Sequence, residues 1–434
     1  MSDKAIEALD AAAEEAIIYQ AETQVRLFNE ARKRKRLNIV LCGISIISLK
    51  YSFDVLEEES EELCPNKVQE QDKEVDDSDY IHVIGHKESL MLLVRTLGLN
   101  YHRKPYNTLN AIEKYYAMLC LNSIIDINDD TFIKFLKLDS QAHQALITRF
   151  NLRKVIIPQP GKDLKNLYKS AEKLTPQQKY KFYITQSFDL DGDDRKRLII
   201  IAHIYNLLSH KKDDIQRWKT MSECSLIIKI WSNIFETLFE GSIVNLIWGD
   251  TLNNSFKVDL RLCLSVEGKN HNISNIEFKK QGKEQRLVKT DACKVLLEAK
   301  SILNSIIKRS SLSLKVAKKR IIINGQVCGL KAIFTELRLA APGCYVTSHF
   351  GRTIKVPLTD DKAIKFTEDN LEQLLCYKEL VVKEAEEMRA ILLQDTSNFG
   401  SQSSIEEHGF IKETYVISSK SKIFPKLHED FYKS

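Results

Sequence analysis

Alternating hydrophobic and polar positions predict a β-hairpin over residues 255–280. Apolar side chains occupy every second position from Phe256 to Leu264, and the alternation resumes at Ile276 and Phe278. Because successive side chains of a strand point to opposite faces, one face of the hairpin is apolar and suited to a core. The other face carries charged side chains, namely Asp259, Glu277 and Lys279.

Apolar residues at three- and four-residue spacing predict helices on both sides of this hairpin. A helix at about 222–240 and a strand at 243–248 precede the hairpin, and a helix at 290–308 follows it. Further strands are predicted at 320–324, 329–337 and 343–347. This mixture of helices and neighbouring strands is typical of the α+β class.

Changes in charge and periodicity divide the chain into segments of different character. The segment 54–79 is strongly acidic and has too little apolar surface to offset the entropy of ordering, so we interpret it as a linker. The predicted segments are an N-terminal helix with a basic run (1–53), the acidic linker (54–79), a mostly helical domain (80–220), an α/β core (221–358), a C-terminal helix (359–394) and a tail (395–434).

The composition is that of an ordinary soluble protein. The 434 residues are 43% hydrophobic and 28% charged, and the formal net charge of +5 permits a nucleic-acid partner without requiring one. The nine cysteines are scattered, and no two form a C-x-x-C pair, so a zinc knuckle or a redox motif is not indicated. Free cysteines in this number favour a reducing, intracellular compartment.

The N-terminal region lacks the features of a signal peptide or a membrane span. Its first residues are acidic, and the apolar run 38–49 is too short to cross a bilayer as a helix. The basic run Arg32–Arg36 before it is a candidate nuclear localisation signal; a solvated helix end or a lipid-facing basic anchor are the alternatives. We therefore expect a nuclear or cytoplasmic protein with no membrane span.

The charged face of the hairpin, placed within this order of elements, resembles the PD-(D/E)XK nuclease superfamily. Asp259 lies on the second strand, and Glu277-Phe278-Lys279 lies on the third. The resemblance covers about residues 221–340. The stretch from Ser222-Glu223 through Trp248-Gly249-Asp250 is also similar to uncharacterised fungal proteins with nuclease-like domains. The resemblance to the superfamily implies a restriction-endonuclease-like αβββαβ core, with a mostly helical N-terminal region and a C-terminal helix. Val258 stands where the superfamily often has proline.

The resemblance implies a metal-dependent phosphodiesterase that acts on DNA, and less readily on RNA. Asp259 and Glu277 would hold Mg²⁺ (or Mn²⁺), and Lys279 would orient the attacking water and stabilise the transition state. It also implies one more acidic ligand from the preceding helix. Glu223 is our first choice for that ligand, and the alternatives left open are Glu236 and Glu240.

Basic residues are concentrated after the hairpin. From residue 279 to residue 320 there are thirteen Lys or Arg and only three acidic residues. Such a local excess suits contact with a phosphate backbone. The candidate phosphate contacts are Lys280, Lys289, Lys294 and Lys300. The helices at the two ends of the chain are candidate surfaces for protein partners.

Two less specific interpretations of the hairpin remain open. Glu277 can form an ordinary cross-strand pair with Arg261 or Lys257, in which case the charges are only a solvent face. The chain can also have a nuclease-like fold without activity and serve as a scaffold that binds nucleic acid or protein.

Overall fold

The computed structural model describes residues 89–150, 157–253, 256–280, 285–310, 312–397 and 409–415. All of them belong to one compact unit. The predicted N-terminal helix with its basic run, the acidic linker and most of the tail lie outside the described residues.

A seven-stranded mixed sheet forms the centre of the described unit, in the order β1-β7-β6-β5-β4-β3-β2. The strands are β1 (Ile124–Asp126), β2 (Val244–Asn253), β3 (Phe256–Val266), β4 (Lys269–Lys279), β5 (Ile322–Cys328), β6 (Lys331–Ala341) and β7 (Cys344–Lys355). Strands β2, β3 and β4 are antiparallel neighbours, and so are β5, β6 and β7. The pairs β4–β5 and β1–β7 are parallel, so the fold is α+β with a mixed sheet.

The predicted hairpin is formed by β3 and β4. Val266 pairs with Lys269, and the two residues between them, Glu267 and Gly268, both have positive φ, +49° and +74°. Two residues in the left-handed region make the tight turn whose twist matches that of the flanking strands. The turn sets the register of the nearby pairs, and an irregularity between Leu262 and Cys263 then shifts it by one residue, so that Asp259 lies next to the end of β4.

Alternation along β4 divides its side chains between two helical layers. Phe278 packs against Phe235 and Trp248, and Ser274 bonds Tyr377. That face is covered by the helix Ser232–Phe239 and the long helix Leu371–Ser397. The helix Glu223–Leu226 and the π-helical turn Ile227–Trp231 lead into the first of these. The opposite face of β4 is covered by the helix Gln285–Arg309, here called the central helix, which also lies against β5 and β6.

The region 80–220, predicted to be mostly helical, contains many short helices and one strand. Its helices are Leu90–His102, Ala111–Leu121, Asp130–Phe135, Ser140–Phe150, Lys162–Ala171, Pro176–Gln186, Gly192–Ser209 and Lys212–Gln216. The remaining α-helices of the described chain are Leu314–Ala317 and Asp360–Lys365. Strand β1 comes from this region and pairs with β7, and the buried apolar side chains of the helices and the sheet form one core.

Over the residues that the structure describes, no helix is both long enough and apolar enough to cross a bilayer.

Candidate active site

The predicted site residues of the hairpin lie side by side in the structure. Glu277 and Lys279 share the face of β4 that is turned to the central helix, because they are two residues apart on one strand. Asp259, on the adjacent β3, accepts a hydrogen bond of 2.8 Å from the backbone N–H of Phe278. This bond fixes the Asp259 carboxylate beside the Glu277 carboxylate, near the end of β4.

The central helix adds Lys294, which was predicted as a phosphate contact, and two acidic residues that were not predicted from the sequence, Asp291 and Glu298. Asp291, Lys294 and Glu298 are three and four residues apart, so they lie on one face of the helix. Lys294 Nζ lies 2.6 Å from Glu277 Oε1 and 3.6 Å from Glu298 Oε1. Asp291 Oδ1 lies 3.7 Å from Lys279 Nζ. Helix and strand therefore face each other with complementary charges.

One amide group completes the arrangement. Asn275, two residues before Glu277 on β4, donates from Nδ2 to Glu298 Oε2 at 3.3 Å. We call the whole set the carboxylate–lysine cluster; its members are Asp259, Asn275, Glu277, Lys279, Asp291, Lys294 and Glu298.

Burial makes the acids of this cluster unusually hard to ionise. Glu277 is 2% exposed and Glu298 is fully buried. Burial, and then the neighbouring charge of Asp259, raises the pKa of Glu277, although Lys294 opposes the shift. Burial and the charge of Glu277 raise the pKa of Glu298 well above its ordinary value. Burial alone would lower the pKa of Lys294, but its two acidic neighbours outweigh that effect and raise it.

Three acceptor oxygens of the cluster are buried without a hydrogen-bond donor. They are Asn275 Oδ1, Asp291 Oδ2 and Glu298 Oε1. Most buried polar atoms in native proteins have a partner, because an unpaired one is costly in a medium of low dielectric constant. The cluster is therefore rich in acceptors and poor in donors, which favours the approach of a cation or of a proton.

The donor set fits a magnesium ion that is shared with a substrate. Asp259 and Glu277 offer carboxylate oxygens, and Mg²⁺ is commonly held by one or two carboxylates together with waters and substrate phosphates. Within the described ranges, no group of three or more His, Cys, Asp or Glu side chains is arranged to hold a metal ion. A cage made only of protein ligands is therefore not what these residues form.

The acids of the preceding helix have other surroundings. Trp248 Nε1 donates to Glu236 Oε1 at 2.5 Å, and Arg195 donates to Glu240 Oε2 at 3.1 Å. The helix that carries them packs on the face of the sheet opposite Glu277. Glu223 is the first residue of the helix Glu223–Leu226, and its role as a third metal ligand stays a prediction.

Lys300, predicted to contact phosphate, is fully buried and is not accessible to a nucleic acid in this structure. Its ammonium donates to the backbone carbonyls of Asn122 at 3.0 Å and Glu413 at 2.9 Å, and it lies 4.9 Å from the ring centroid of Tyr345. Burial lowers the pKa of Lys300 to about 7. Its role is therefore to hold the segment 409–415 against the central helix.

The other three predicted phosphate contacts have different surroundings. Lys294 is a member of the carboxylate–lysine cluster and pairs with Glu277. Lys280 is partly exposed at the end of β4, and the side chain of Lys289 lies outside the described residues. Lys280 and Lys289 remain predicted contacts.

The structure also bears on the alternative in which Glu277 forms a cross-strand pair with Arg261 or Lys257. Arg261 Nε donates to Asn272 Oδ1 at 2.7 Å, and the register places Arg261 opposite Asn275. Glu277 takes Lys294 of the central helix as its cation instead. The side chain of Lys257 lies outside the described residues.

The carboxylate–lysine cluster has the chemistry to bind a hard cation and to place an ammonium group beside it. No protein-family model, no curated protein and no solved structure matches this chain.

Proposed function

We propose that the protein is a metal-dependent phosphodiesterase that cleaves DNA, and less readily RNA, at Asp259, Glu277 and Lys279. The observation that carries this proposal is the close placement of two carboxylates on adjacent strands, with a lysine two residues beyond one of them. Burial first, and then the charge of Asp259, raises the pKa of Glu277. The two carboxylates therefore repel each other when both are ionised, and a divalent cation would stabilise them.

The order of elements supports a restriction-endonuclease-like core within the larger sheet. A helix precedes three antiparallel strands, the central helix follows, and β5 then pairs in parallel with β4. This is the αβββαβ order that the PD-(D/E)XK superfamily implies, with Asp259 on the second strand and Glu277 on the third.

Asp259, Glu277 and Lys279 would have different roles in the reaction. Asp259 and Glu277 would hold Mg²⁺ or Mn²⁺, which when bound would neutralise charge on the phosphate and acidify a water molecule. Lys279 would orient that water and stabilise the charge that develops in the transition state. Its side chain is 31% exposed, and its 3.7 Å pair with Asp291 is loose, so the ammonium is able to turn toward a substrate.

The assay is cleavage of nucleic acid by the purified chain. Supercoiled plasmid, single-stranded DNA and RNA would each be incubated with Mg²⁺, with Mn²⁺ and with a chelator. We expect cleavage of DNA that needs the metal ion and that falls by at least about 100-fold in Asp259→Asn and in Glu277→Gln. Lys383→Met is the matched control, because Lys383 has a 64% exposed side chain on another helix.

Cleavage that persists with chelator or in both carboxylate variants would refute the assignment of the site. Binding of nucleic acid without cleavage under every metal condition would instead favour the second candidate function, an inactive scaffold. One observation favours that second function: Lys294 and Lys279 already neutralise Glu277 and Asp291 within the protein. Nucleic acid, the nucleus as its location and protein partners at the terminal helices remain proposals.

A further inference from the structure

Lys294 occupies the centre of the carboxylate–lysine cluster. Its ammonium is in hydrogen-bond contact with Glu277 and lies within ion-pair distance of Glu298, and both of these acids are almost completely buried. The ammonium charge at this position stabilises the two carboxylates, as a bound metal cation would. We propose that Lys294 is an internal competitor for the divalent cation, a positioning residue that must leave Glu277 before a metal ion can be held there.

The charges around Lys294 explain why this competition is strong. Glu277 and Asp259 face it from the sheet, Glu298 and Asp291 lie on its own helix, and Lys279 is the second cation of the set. Even with Glu298 protonated, ionisation of Asp259, Glu277 and Asp291 would leave the two lysines with an excess of one negative charge in the cluster. Removal of the Lys294 charge would increase that excess at the place where Glu277 binds a cation.

Geometry shows that the ammonium is able to leave. The Lys294 side chain is 27% exposed, whereas the Glu277 side chain is only 3% exposed. The lysine therefore reaches the pair from the solvent side on a long, flexible stem, and the carboxylate is fixed on the strand. Exchange of the ammonium for a metal ion needs movement of one side chain and no movement of the sheet.

This inference rests on the proposed function, because it takes Glu277 as a metal ligand. Its consequence is that the free protein binds Mg²⁺ or Mn²⁺ weakly. The sequence motif alone, two carboxylates and a lysine on two strands, does not predict this, because Lys294 belongs to the helix that follows the motif.

The test measures the affinity of the full-length protein for Mn²⁺ by calorimetry, without nucleic acid. Lys294→Met is expected to bind Mn²⁺ on the order of tenfold more tightly than the wild type, since one nearby charge changes such equilibria by about one unit or more on a logarithmic scale. Lys294→Arg keeps the charge and should bind as the wild type does. Lys308→Met, on the same helix at a position with a 47% exposed side chain, is the matched control and should show no change.

Two buried acids without their cation can prevent Lys294→Met from folding. The double variant Lys294→Met/Glu298→Gln removes one acid together with the lysine and is compared with Glu298→Gln alone. The double variant should bind Mn²⁺ on the order of tenfold more tightly than Glu298→Gln. Equal or weaker binding in the variants that lack Lys294 would overturn the inference.

The two proposals fail in different ways. If Lys294→Met binds Mn²⁺ more tightly but no variant cleaves any nucleic acid, the proposed function is wrong and the competitor role stands. If the wild type cleaves DNA while the loss of Lys294 leaves the Mn²⁺ affinity unchanged, the competitor role alone is wrong. If no variant binds Mn²⁺, the competitor role is wrong, and the proposed function is wrong as well if no nucleic acid is cleaved.

Discussion

The buried Lys300 gives a sharp prediction about the pH dependence of stability. Its pKa is lowered from 10.5 to about 7, chiefly by burial. The unfolded chain keeps the ordinary lysine pKa. Between these two pH values the unfolded state therefore binds one more proton than the folded state at this position, and stability contributed by Lys300 rises with pH.

The size of the effect follows from this one-proton difference. Each pH unit within the window adds about 1.4 kcal/mol to the free energy of unfolding. From pH 7.5 to pH 9.5 the expected gain is therefore about 2 to 3 kcal/mol. The neutral amine still has two N–H donors for the carbonyls of Asn122 and Glu413, so the contacts of the segment 409–415 are kept.

The assay is urea denaturation at pH 7.5, 8.5 and 9.5 for the wild type, Lys300→Met and Lys308→Met. Other groups titrate in the same range, so the informative quantity is the difference in slope between variants. The increase in the free energy of unfolding with pH should be absent in Lys300→Met. It should be kept in Lys308→Met, because the Lys308 side chain is exposed and pairs with Glu413 at the surface. Identical slopes in the wild type and Lys300→Met would refute the reasoning.

Three further predictions concern stability, each read from urea denaturation. Trp231→Phe removes the 2.8 Å hydrogen bond from the fully buried indole to the carbonyl of Gly329 and should cost about 1–3 kcal/mol; a change near zero would contradict it. Gly351→Ala should destabilise by at least about 1–2 kcal/mol, because φ is +68° and the added Cβ would lie 2.5 Å from Gln373 Cδ. The raised pKa of Glu298 means that the folded state holds its proton to higher pH, so this group lowers stability as pH rises above 4.5. The free energy of unfolding of Glu298→Gln should therefore increase relative to that of the wild type between pH 5 and pH 8. A difference between the two that stays constant with pH would contradict this.

The hairpin was predictable because its signal is local. Period-two alternation and the two-residue turn at Glu267-Gly268 are both properties of neighbouring residues. The one-residue shift in register between Leu262 and Cys263, which brings Asp259 beside Glu277, is not evident from that alternation. Strand β1 gave no such signal, because three residues cannot show a period. It is a strand only because β7 lies next to it.

The helix side of the cluster was not predictable for a different reason. The spacing of Asp291, Lys294 and Glu298 shows that they share a helix face, but most such charged faces are solvated. Their contact with β4 depends on which face of the central helix meets the sheet, which is a tertiary property. Lys300 illustrates the same limit, because lysines are rarely fully buried and its carbonyl partners lie far away in sequence.

The role of Lys279 tests the central proposal most directly, since this lysine serves chemistry in the nuclease and has no such task in a scaffold. The measurement is the single-turnover rate of DNA cleavage by Lys279→Met with Mg²⁺, together with its affinity for the same DNA. We predict a rate lower by about 100- to 10,000-fold with nearly unchanged affinity. Cleavage by Lys279→Met at the rate of the wild type would contradict the account.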